Sequence, residues 1–255
     1  MTNMRSPNDG PLAVLADIHG NRWALEAVLA DIDRRGVRDI VDLGDSLQGP
    51  LDPAGVADLL LARGIPSIQG NCDRMLTDPA TPLSPTLAFD RDALKPEHIA
   101  WLQALRPTAV HRDTIFRCHG TPQSDTTYLL EDPTERGGVL CFIDEIAAAV
   151  HDVTQPVVLC GHSHVPRSVW LPDGKLVVNP GSVGLPAYSD DTPHPHVMQA
   201  GSPHARYALL TETPSGWAVE HIAVPYDWAA AARAAEARGR DDWASALRTG
   251  RASLS

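Results

Sequence analysis

Short apolar runs that alternate with segments of helical period are the feature that most constrains how this chain of 255 residues can fold. The run from Leu12 to Ala16 is apolar throughout, and the run from Ile40 to Leu43 is apolar except for Asp42, as is typical of buried strands. Between them the apolar residues fall at the i, i+3, i+4 and i+7 spacing of one helix face, at Leu25, Val28, Leu29 and Ile32. The order strand, helix, strand predicts a parallel α/β layer.

The following segments continue this pattern. Asp52 followed by Pro53 has the capping and first-turn chemistry of a helix start, and Gly64 can end that helix. The run from Pro66 to Gln69 predicts a third short strand. The stretch from Arg74 to Lys95 is rich in Pro, Thr, Ser and Asp, and we interpret it as a long surface loop.

The second half of the chain is predicted to be rich in strands. A helix from Pro96 to Leu105 comes first, and turn signals at 172–174 and 214–216 predict hairpins. The predicted strands of this half are Val110–Cys118, Val157–Cys160, Ser168–Leu171, Leu176–Val178, Tyr207–Thr211 and Ala218–Val224. The sequence thus predicts a tail at 1–10, one domain at 11–225, and a helical extension at 226–255 that packs on the same domain.

Charge and composition exclude several classes of protein. With 21 Lys and Arg against 32 Asp and Glu, the formal net charge is −11, which argues against a stable complex with nucleic acid or an anionic membrane. The 43% of hydrophobic residues is enough for a sizeable core. There is no run of about 18 apolar residues and no secretory signal, so we expect a cytoplasmic protein, and leave a homo-oligomer open.

Five apolar runs end in residues that can bind metal ions. Ligands collect at the carboxyl ends of strands in open α/β sheets, so residues that follow separate strands converge although they lie far apart in sequence. A single motif of this kind arises by chance, whereas five in one chain indicate a shared site. The five are Asp17-x-His19, Gly44-Asp45, Gly70-Asn71, His119-Gly120 and Gly161-His162-x-His164.

Together these motifs supply two carboxylates, four imidazoles and one amide oxygen. That is too many ligands for one tetrahedral zinc ion, but it suits two divalent transition metals that share a bridging carboxylate. Asp45 is our choice for the bridge. We expect manganese, with iron, zinc, nickel and cobalt as the alternatives, because a mixed nitrogen and oxygen site accepts all of them.

The ordered motifs resemble those of the calcineurin-like metallophosphoesterase superfamily, and within it the small bacterial and archaeal phosphodiesterase-type members. The resemblance extends from Leu12 to Val224 and includes the segment Asn179–Gly184. It implies an α/β fold, a four-layer α/β/β/α sandwich of two mixed sheets flanked by helices. It also implies two metal sites, one formed by Asp17, His19, Asp45 and His164 and the other by Asp45, Asn71, His119 and His162.

The resemblance further implies a hydrolase in which a metal-bound hydroxide attacks the phosphorus of a small phosphodiester, for which a nucleotide is one candidate. Many members carry His after the motif Asn, whereas this chain has Cys72. A thiol is a weaker acid than an imidazolium at pH 7, so we expect a preference for substrates with good leaving groups. Asp73 is expected either to orient His119 or another imidazole, or to cap a loop.

Four residues are candidates for contact with the substrate. Asn21 and Arg74 lie next to candidate ligands in the sequence. His194 and His196 lie in a Pro- and Asp-containing segment that looks like an insertion compared with relatives, and a solvated loop is the alternative. Two other functions also remain open: a phosphomonoesterase, including a protein phosphatase, and a catalytically weak, metal-stabilised binding module.

Overall fold

The computed structural model describes residues 10–254, so the predicted tail lies outside the described residues except for Gly10. Helices in this part of the chain are α1 (Arg22–Arg34), α2 (Pro53–Arg63), α3 (Asn71–Thr77), α4 (Pro85–Ala93), α5 (Pro96–Ala104), α6 (Ile143–Ala149), α7 (Trp228–Glu236) and α8 (Asp241–Thr249). In the described range, no helix is both long enough and apolar enough to cross a membrane.

The strands follow the predicted alternation in the first half and dominate the second half. They are β1 (Leu12–Leu15), β2 (Asp39–Asp42), β3 (Thr108–His111), β4 (Ile115–Cys118), β5 (Glu131–Asp132), β6 (Val139–Leu140), β7 (Val157–Leu159), β8 (Arg167–Trp170), β9 (Leu176–Asn179), β10 (Ala187–Asp190), β11 (His196–Gln199), β12 (Ala205–Thr213) and β13 (Gly216–Val224).

Two mixed sheets form the centre of the fold. The first has the order β13-β12-β1-β2, in which β1 is parallel to β2 and antiparallel to β12. The second has the order β3-β4-β7-β9-β8, with parallel pairs in the middle and an antiparallel pair at each edge. Two small ribbons, β5-β6 and β10-β11, lie outside these sheets.

Alternating side chains on β1 show how the layers stack. Leu12 and Val14 lie in a core between the two sheets, together with Val157 and Leu159 of β7. The alternate residues Ala13 and Leu15 lie in a second core, which the helices α1, α2 and α5 cover. Because neighbouring residues of a strand point to opposite faces, one four-residue strand contributes to both cores. Helix α6 covers the outer face of the second sheet, and the predicted four-layer sandwich is confirmed.

The two helices that follow the last strand pack beside the loops of the first sheet. Trp243 and Leu247 of α8 and Ala231 of α7 are buried in one cluster with Leu51 and Leu185. Leu51 follows Asp45 by six residues, and the Leu185 carbonyl lies 2.6 Å from Nδ1 of His164. The helix pair therefore stands at the end of the sandwich that carries the candidate site.

Three predicted elements differ from those in the structure. The segment 74–95 is not a long loop: it holds the end of α3 and the whole of α4, which Ser84 caps through a hydrogen bond from the Leu87 amide. The predicted strand at 66–69 forms only one isolated bridge, at Ser67. The predicted strand at 110–118 is a hairpin, because Arg112 and Asp113 adopt left-handed conformations between β3 and β4.

Candidate metal centre

Six of the seven candidate ligands form two clusters of side chains, each with its ligand atoms within 4.8 Å of one another. One cluster contains Asp17, His19 and His164, and the other contains Asp45, His119 and His162. The carboxylates and His19 follow β1 and β2 of the first sheet, whereas the remaining imidazoles follow β4 and β7 of the second. The candidate site thus spans the edge where the two sheets meet.

The backbone at the candidate ligands is unusual. Within the described range, seven residues other than glycine have a positive φ angle, and five of them are candidate ligands. Such a conformation costs about 1–2 kcal/mol for a residue with a Cβ atom, and this strain tends to gather at functional sites. The five are Asp17 (+55°), His19 (+51°), Asp45 (+55°), His162 (+69°) and His164 (+60°).

Hydrogen bonds between neighbouring loops hold this strained backbone. The Asp17 amide donates to the Gly44 carbonyl at 3.0 Å, and the His19 amide donates to the Asp45 carbonyl at 2.9 Å. A Cβ atom at Gly70 would collide with the Asp45 carboxylate, so only glycine allows these two loops to approach so closely.

Backbone carbonyls orient three of the four imidazoles. Nδ1 of His19 lies 2.9 Å from the Gln48 carbonyl, Nδ1 of His119 lies 2.8 Å from the Leu43 carbonyl, and Nδ1 of His164 lies 2.6 Å from the Leu185 carbonyl. A carbonyl can only accept, so each Nδ1 donates its proton. In a neutral ring Nε2 then carries a lone pair, which is the arrangement found in metal-bound histidines.

These lone pairs face carboxylates and each other. Nε2 of His164 lies 3.3 Å from Asp17 Oδ1, and Nε2 of His119 lies 3.3 Å from Asp45 Oδ2. Among the residues that the structure describes, the buried Nε2 of His119 and Oδ1 of Asn71 have no hydrogen-bond partner. A bound cation would pair with all of these acceptors at once, so the donor set fits a metal ion.

The pKa values of the clustered residues also indicate that a positive charge is needed between the buried carboxylates. Burial by itself lowers the pKa of an imidazole, yet the charges of Asp45 and Asp17 raise the pKa of His119 to about 10. Burial would likewise raise the pKa of Asp45, but the surrounding imidazoles, His119 foremost, hold it well below its ordinary range. Burial lowers the pKa of His162 to about 4, so this ring is neutral at pH 7. The ionised carboxylates of Asp17 and Asp45 are thus stable in this buried site only with a positive charge close to them.

A cleft of about 220 Å³ opens onto the cluster. Of the candidate residues, His19, Asp45, Asn71, Cys72, His162 and His164 line it. The sequence interpretation missed Gln48, Tyr188, Asp190, Arg240 and Trp243, which complete the wall. Trp243 lies edge-on to the His19 ring, with centroids 5.8 Å apart. No local motif marks these residues, because they reach the cleft through the packing of distant segments.

Cys72 and Asp73 both contact the loop of Asp45. The Cys72 amide donates to Asp45 Oδ1 at 2.8 Å, and burial, reinforced by the Asp45 charge, raises the pKa of its thiol well above the ordinary range. Asp73 accepts hydrogen bonds from the amides of Asp45 (2.7 Å), Ser46 (3.0 Å) and Gly70 (3.1 Å). The Asp73 carboxylate therefore accepts hydrogen bonds from backbone amides and not from an imidazole. This contact pattern agrees with the second of its two expected roles, in which Asp73 holds a loop in place.

None of the four candidate substrate contacts lines this cleft. Asn21 is buried, caps α1 by accepting from the Ala24 amide, and donates to the Gly184 carbonyl. Arg74 is paired with Asp125 through two hydrogen bonds of 2.7 and 3.0 Å. The predicted insertion forms the ribbon β10-β11, in which His194 is exposed and His196 is fully buried. The structure thus engages Asn21 in a helix cap, Arg74 in an ion pair and His196 in a buried contact, and substrate contact by these four residues stays a prediction.

Comparison with known proteins gives one family and a consistent fold. The family model of the calcineurin-like phosphoesterase superfamily domain matches residues 11–200. An uncharacterized protein of Methanocaldococcus jannaschii is 25% identical over 242 residues, which cover 85% of this chain and 88% of that protein. A metallophosphoesterase of Sphaerobacter thermophilus superposes with a TM-score of 0.74 at 22% identity, covering 95% of this chain and 100% of that one. A hypothetical protein of Pyrococcus horikoshii superposes with a TM-score of 0.72 at 20% identity, with 95% and 99% covered.

Proposed function

The chain belongs to the calcineurin-like phosphoesterase superfamily, and on that premise we propose that it hydrolyses small phosphodiesters with two divalent transition metals. One metal would be held by Asp17, His19, Asp45 and His164, and the other by Asp45, Asn71, His119 and His162. The observation that carries the proposal is the pair of clusters in which buried acceptor atoms face one another. Asp45 belongs to both sets and is the proposed bridge.

Bound divalent metals in such a pair would polarise phosphoryl oxygens and make a water molecule acidic enough to ionise near pH 7. The residues of the chain have three further tasks. Backbone carbonyls keep three imidazoles in the orientation that a ligand needs. The amide of Asn71 offers its Oδ1 because Nδ2 is directed to the Cys72 sulfur at 3.4 Å. Cys72 lines the cleft next to Asn71 and is our candidate for contact with the leaving group.

Arg240 is proposed to attract the anionic substrate. It is the one Lys or Arg among the described residues that line the cleft. Its guanidinium is fixed by hydrogen bonds to the Asp242 carboxylate and, at 2.8 Å, to the Thr86 hydroxyl. A cation that is already ordered loses little entropy when the substrate binds.

The test is the initial rate of the metal-stripped protein, reloaded with Mn²⁺, on bis-p-nitrophenyl phosphate and on p-nitrophenyl phosphate. We expect faster turnover of the diester. Asp45→Asn should lower that rate by more than about 100-fold, since even outer partners of metal ligands cost 10–100-fold. His151→Ala, at an exposed histidine far from the motifs, is the matched control and should keep the full rate.

Two outcomes would favour the other functions. Faster hydrolysis of the monoester would indicate a phosphomonoesterase. If neither ester turned over with any divalent metal while metal binding persisted, the chain would be a metal-stabilised binding module.

A further inference from the structure

His162 differs from the other three candidate imidazoles in how its ring is held. Neither nitrogen of the His162 ring makes a hydrogen bond to a residue in the range 10–254, whereas His19, His119 and His164 each donate from Nδ1 to a carbonyl. The His162 ring instead stacks on the ring of Tyr128, with centroids 4.6 Å apart and an angle of 23° between the planes. The His162 ring is thus held through its face, whereas the other three rings are held through Nδ1.

The Tyr128 ring is itself held at its hydroxyl group. That oxygen lies 2.9 Å from Nε2 of His196 and 2.9 Å from the hydroxyl of Tyr188. His196 is fully buried, and its Nδ1 lies 2.7 Å from the His194 carbonyl. Tyr188 and His196 both belong to the ribbon β10-β11, so this ribbon fixes the plane of the tyrosine on which His162 rests.

The same ribbon also holds the backbone of His162. The residue has a φ angle of +69°, in the left-handed region that residues with a Cβ atom avoid. Its carbonyl accepts a hydrogen bond from the Tyr188 hydroxyl at 2.9 Å, and its amide donates to the Asp17 carboxylate at 3.2 Å. The backbone carbonyl and the backbone amide of His162 therefore both have hydrogen-bond partners.

The protons available serve three of the four short contacts. Nδ1 of a neutral His196 donates to the His194 carbonyl, which leaves Nε2 as an acceptor for the Tyr128 hydroxyl. Tyr188 donates its one proton to the His162 carbonyl. The 2.9 Å contact between the Tyr128 and Tyr188 hydroxyl oxygens then has no proton of its own, so His196 is the hydrogen-bond partner that holds Tyr128.

We propose that Tyr128, held at its hydroxyl group by His196, is a positioning residue that sets the His162 ring for metal binding. The proposal rests on the proposed function, because it takes His162 as a metal ligand. It assigns the ribbon β10-β11 a task different from the substrate contact that the sequence suggested. Through Tyr188 and His196 the ribbon supports His162, while Tyr188 and Asp190 of β10 also line the cleft.

The test is a Co²⁺ titration of the metal-stripped full chain, followed by visible absorption, which reports both affinity and ligand geometry. Tyr128→Ala should weaken one equivalent of Co²⁺ by about 10–100-fold, as the loss of an outer partner of a metal-bound histidine does, and change its absorption bands. Tyr128→Phe keeps the stacked ring but loses the hydrogen bond to His196, so its Co²⁺ affinity should lie between those of Tyr128→Ala and the parent. His194→Ala, on the same ribbon but exposed, is the matched control and should behave as the parent.

His162→Ala separates the two proposals. If it loses one equivalent of Co²⁺ while Tyr128→Ala binds and absorbs as the parent does, the positioning role is wrong and the ligand assignment stands. If His162→Ala binds both equivalents unchanged, the ligand set itself is wrong and the positioning role falls with it. Should Tyr128→Ala fail to fold, Tyr128→Leu, which fills the space without an aromatic ring, carries the same expectations.

Discussion

At the scale of single residues, the candidate ligands combine burial with a backbone that is strained. Asp17, His19 and Asp45 follow the regular strands β1 and β2, yet each of the three adopts a positive φ angle. Nothing in the sequence marks these residues as strained, because Asp and His carry no conformational signal as strong as that of glycine. The candidate ligands could be selected from their motifs, whereas the strained backbone that presents them could not be predicted.

Replacing one ligand by glycine and by alanine measures that cost. His162→Gly should be more stable than His162→Ala in the metal-free protein by about 0.5–1 kcal/mol, since glycine relieves a strain of about 1–2 kcal/mol but gives the unfolded chain more entropy. Urea unfolding of both variants gives the difference. The same pair at Glu26, in the middle of α1, should show the opposite sign, because glycine disfavours a helix. Equal stability of the two His162 variants would show that the backbone there is relaxed.

Asp90 provides a test by pH away from the candidate ligands. It is fully buried on α4, where Oδ2 accepts from the Gly49 amide at 3.1 Å, and burial raises its pKa to about 8. Because this pKa is above the unfolded value of about 3.9, the folded state holds the proton more tightly. The resulting stability is complete below about pH 4 and is lost as the pH rises through about 8.

Asp90→Asn should remove this dependence, because the amide keeps an acceptor for Gly49 and cannot ionise. The melting temperature of the variant relative to the parent should therefore rise between pH 5 and pH 9. Thermal unfolding of both metal-free proteins across this range is the measurement. A constant difference between the two melting temperatures would show that Asp90 does not titrate there.

At the scale of elements, the helix pair α7-α8 contributes more than the sequence indicated. The Ala- and Arg-rich composition after Tyr226 predicts one or two helices, and the structure has α7 and α8 there. It did not predict that the start of α8 would bring Arg240 and Trp243 to the cleft, because such a contact depends on how the helix docks. Similarly, α4 was mistaken for loop because Pro85 and Asp90 count as loop residues, although proline suits a helix start and Asp90 is buried on the inner face.

Arg240→Gln tests the role of α8 in substrate binding. We expect KM for bis-p-nitrophenyl phosphate to rise about 3- to 10-fold with little change in kcat, in keeping with about 1 kcal/mol for a partly exposed ion pair. Arg248→Gln, on the same helix but paired with Glu236 away from the cleft, should leave KM unchanged. The effect should shrink at high salt, since screening weakens exposed charges. A loss in kcat at constant KM would instead place Arg240 in the chemical step.

At the scale of the whole molecule, the sequence predicted the layers and the edge where the ligands meet. Period and composition identify strands and helices one at a time, and the rule that ligands collect at strand ends brings Asp17, Asp45 and His119 together. The rest of the cleft was beyond sequence reasoning. Tyr188 and His196 come from a ribbon whose pairing was not predicted, and neither was the burial of His196.

The candidate metals should also hold the two sheets together. Asp17, His19 and Asp45 come from the first sheet and His119 and His162 from the second, so one bound pair of ions would link both halves of the sandwich. A ligand that binds only the folded state at 100 times its Kd adds about 2.7 kcal/mol of stability. For a chain of this size, that raises the melting temperature by roughly 5–11 °C.

We therefore expect chelation to lower the melting temperature by this amount and Mn²⁺ to restore it. Asp45→Asn should abolish most of the Mn²⁺-dependent shift, because it weakens both proposed sites at once, whereas His119→Ala should weaken only one. Calorimetry of each protein with and without Mn²⁺ is the measurement, with His151→Ala as the control. If the parent melted at the same temperature in both conditions, the sheets would be held by their apolar core alone, and the two-metal centre would lose its role in linking them.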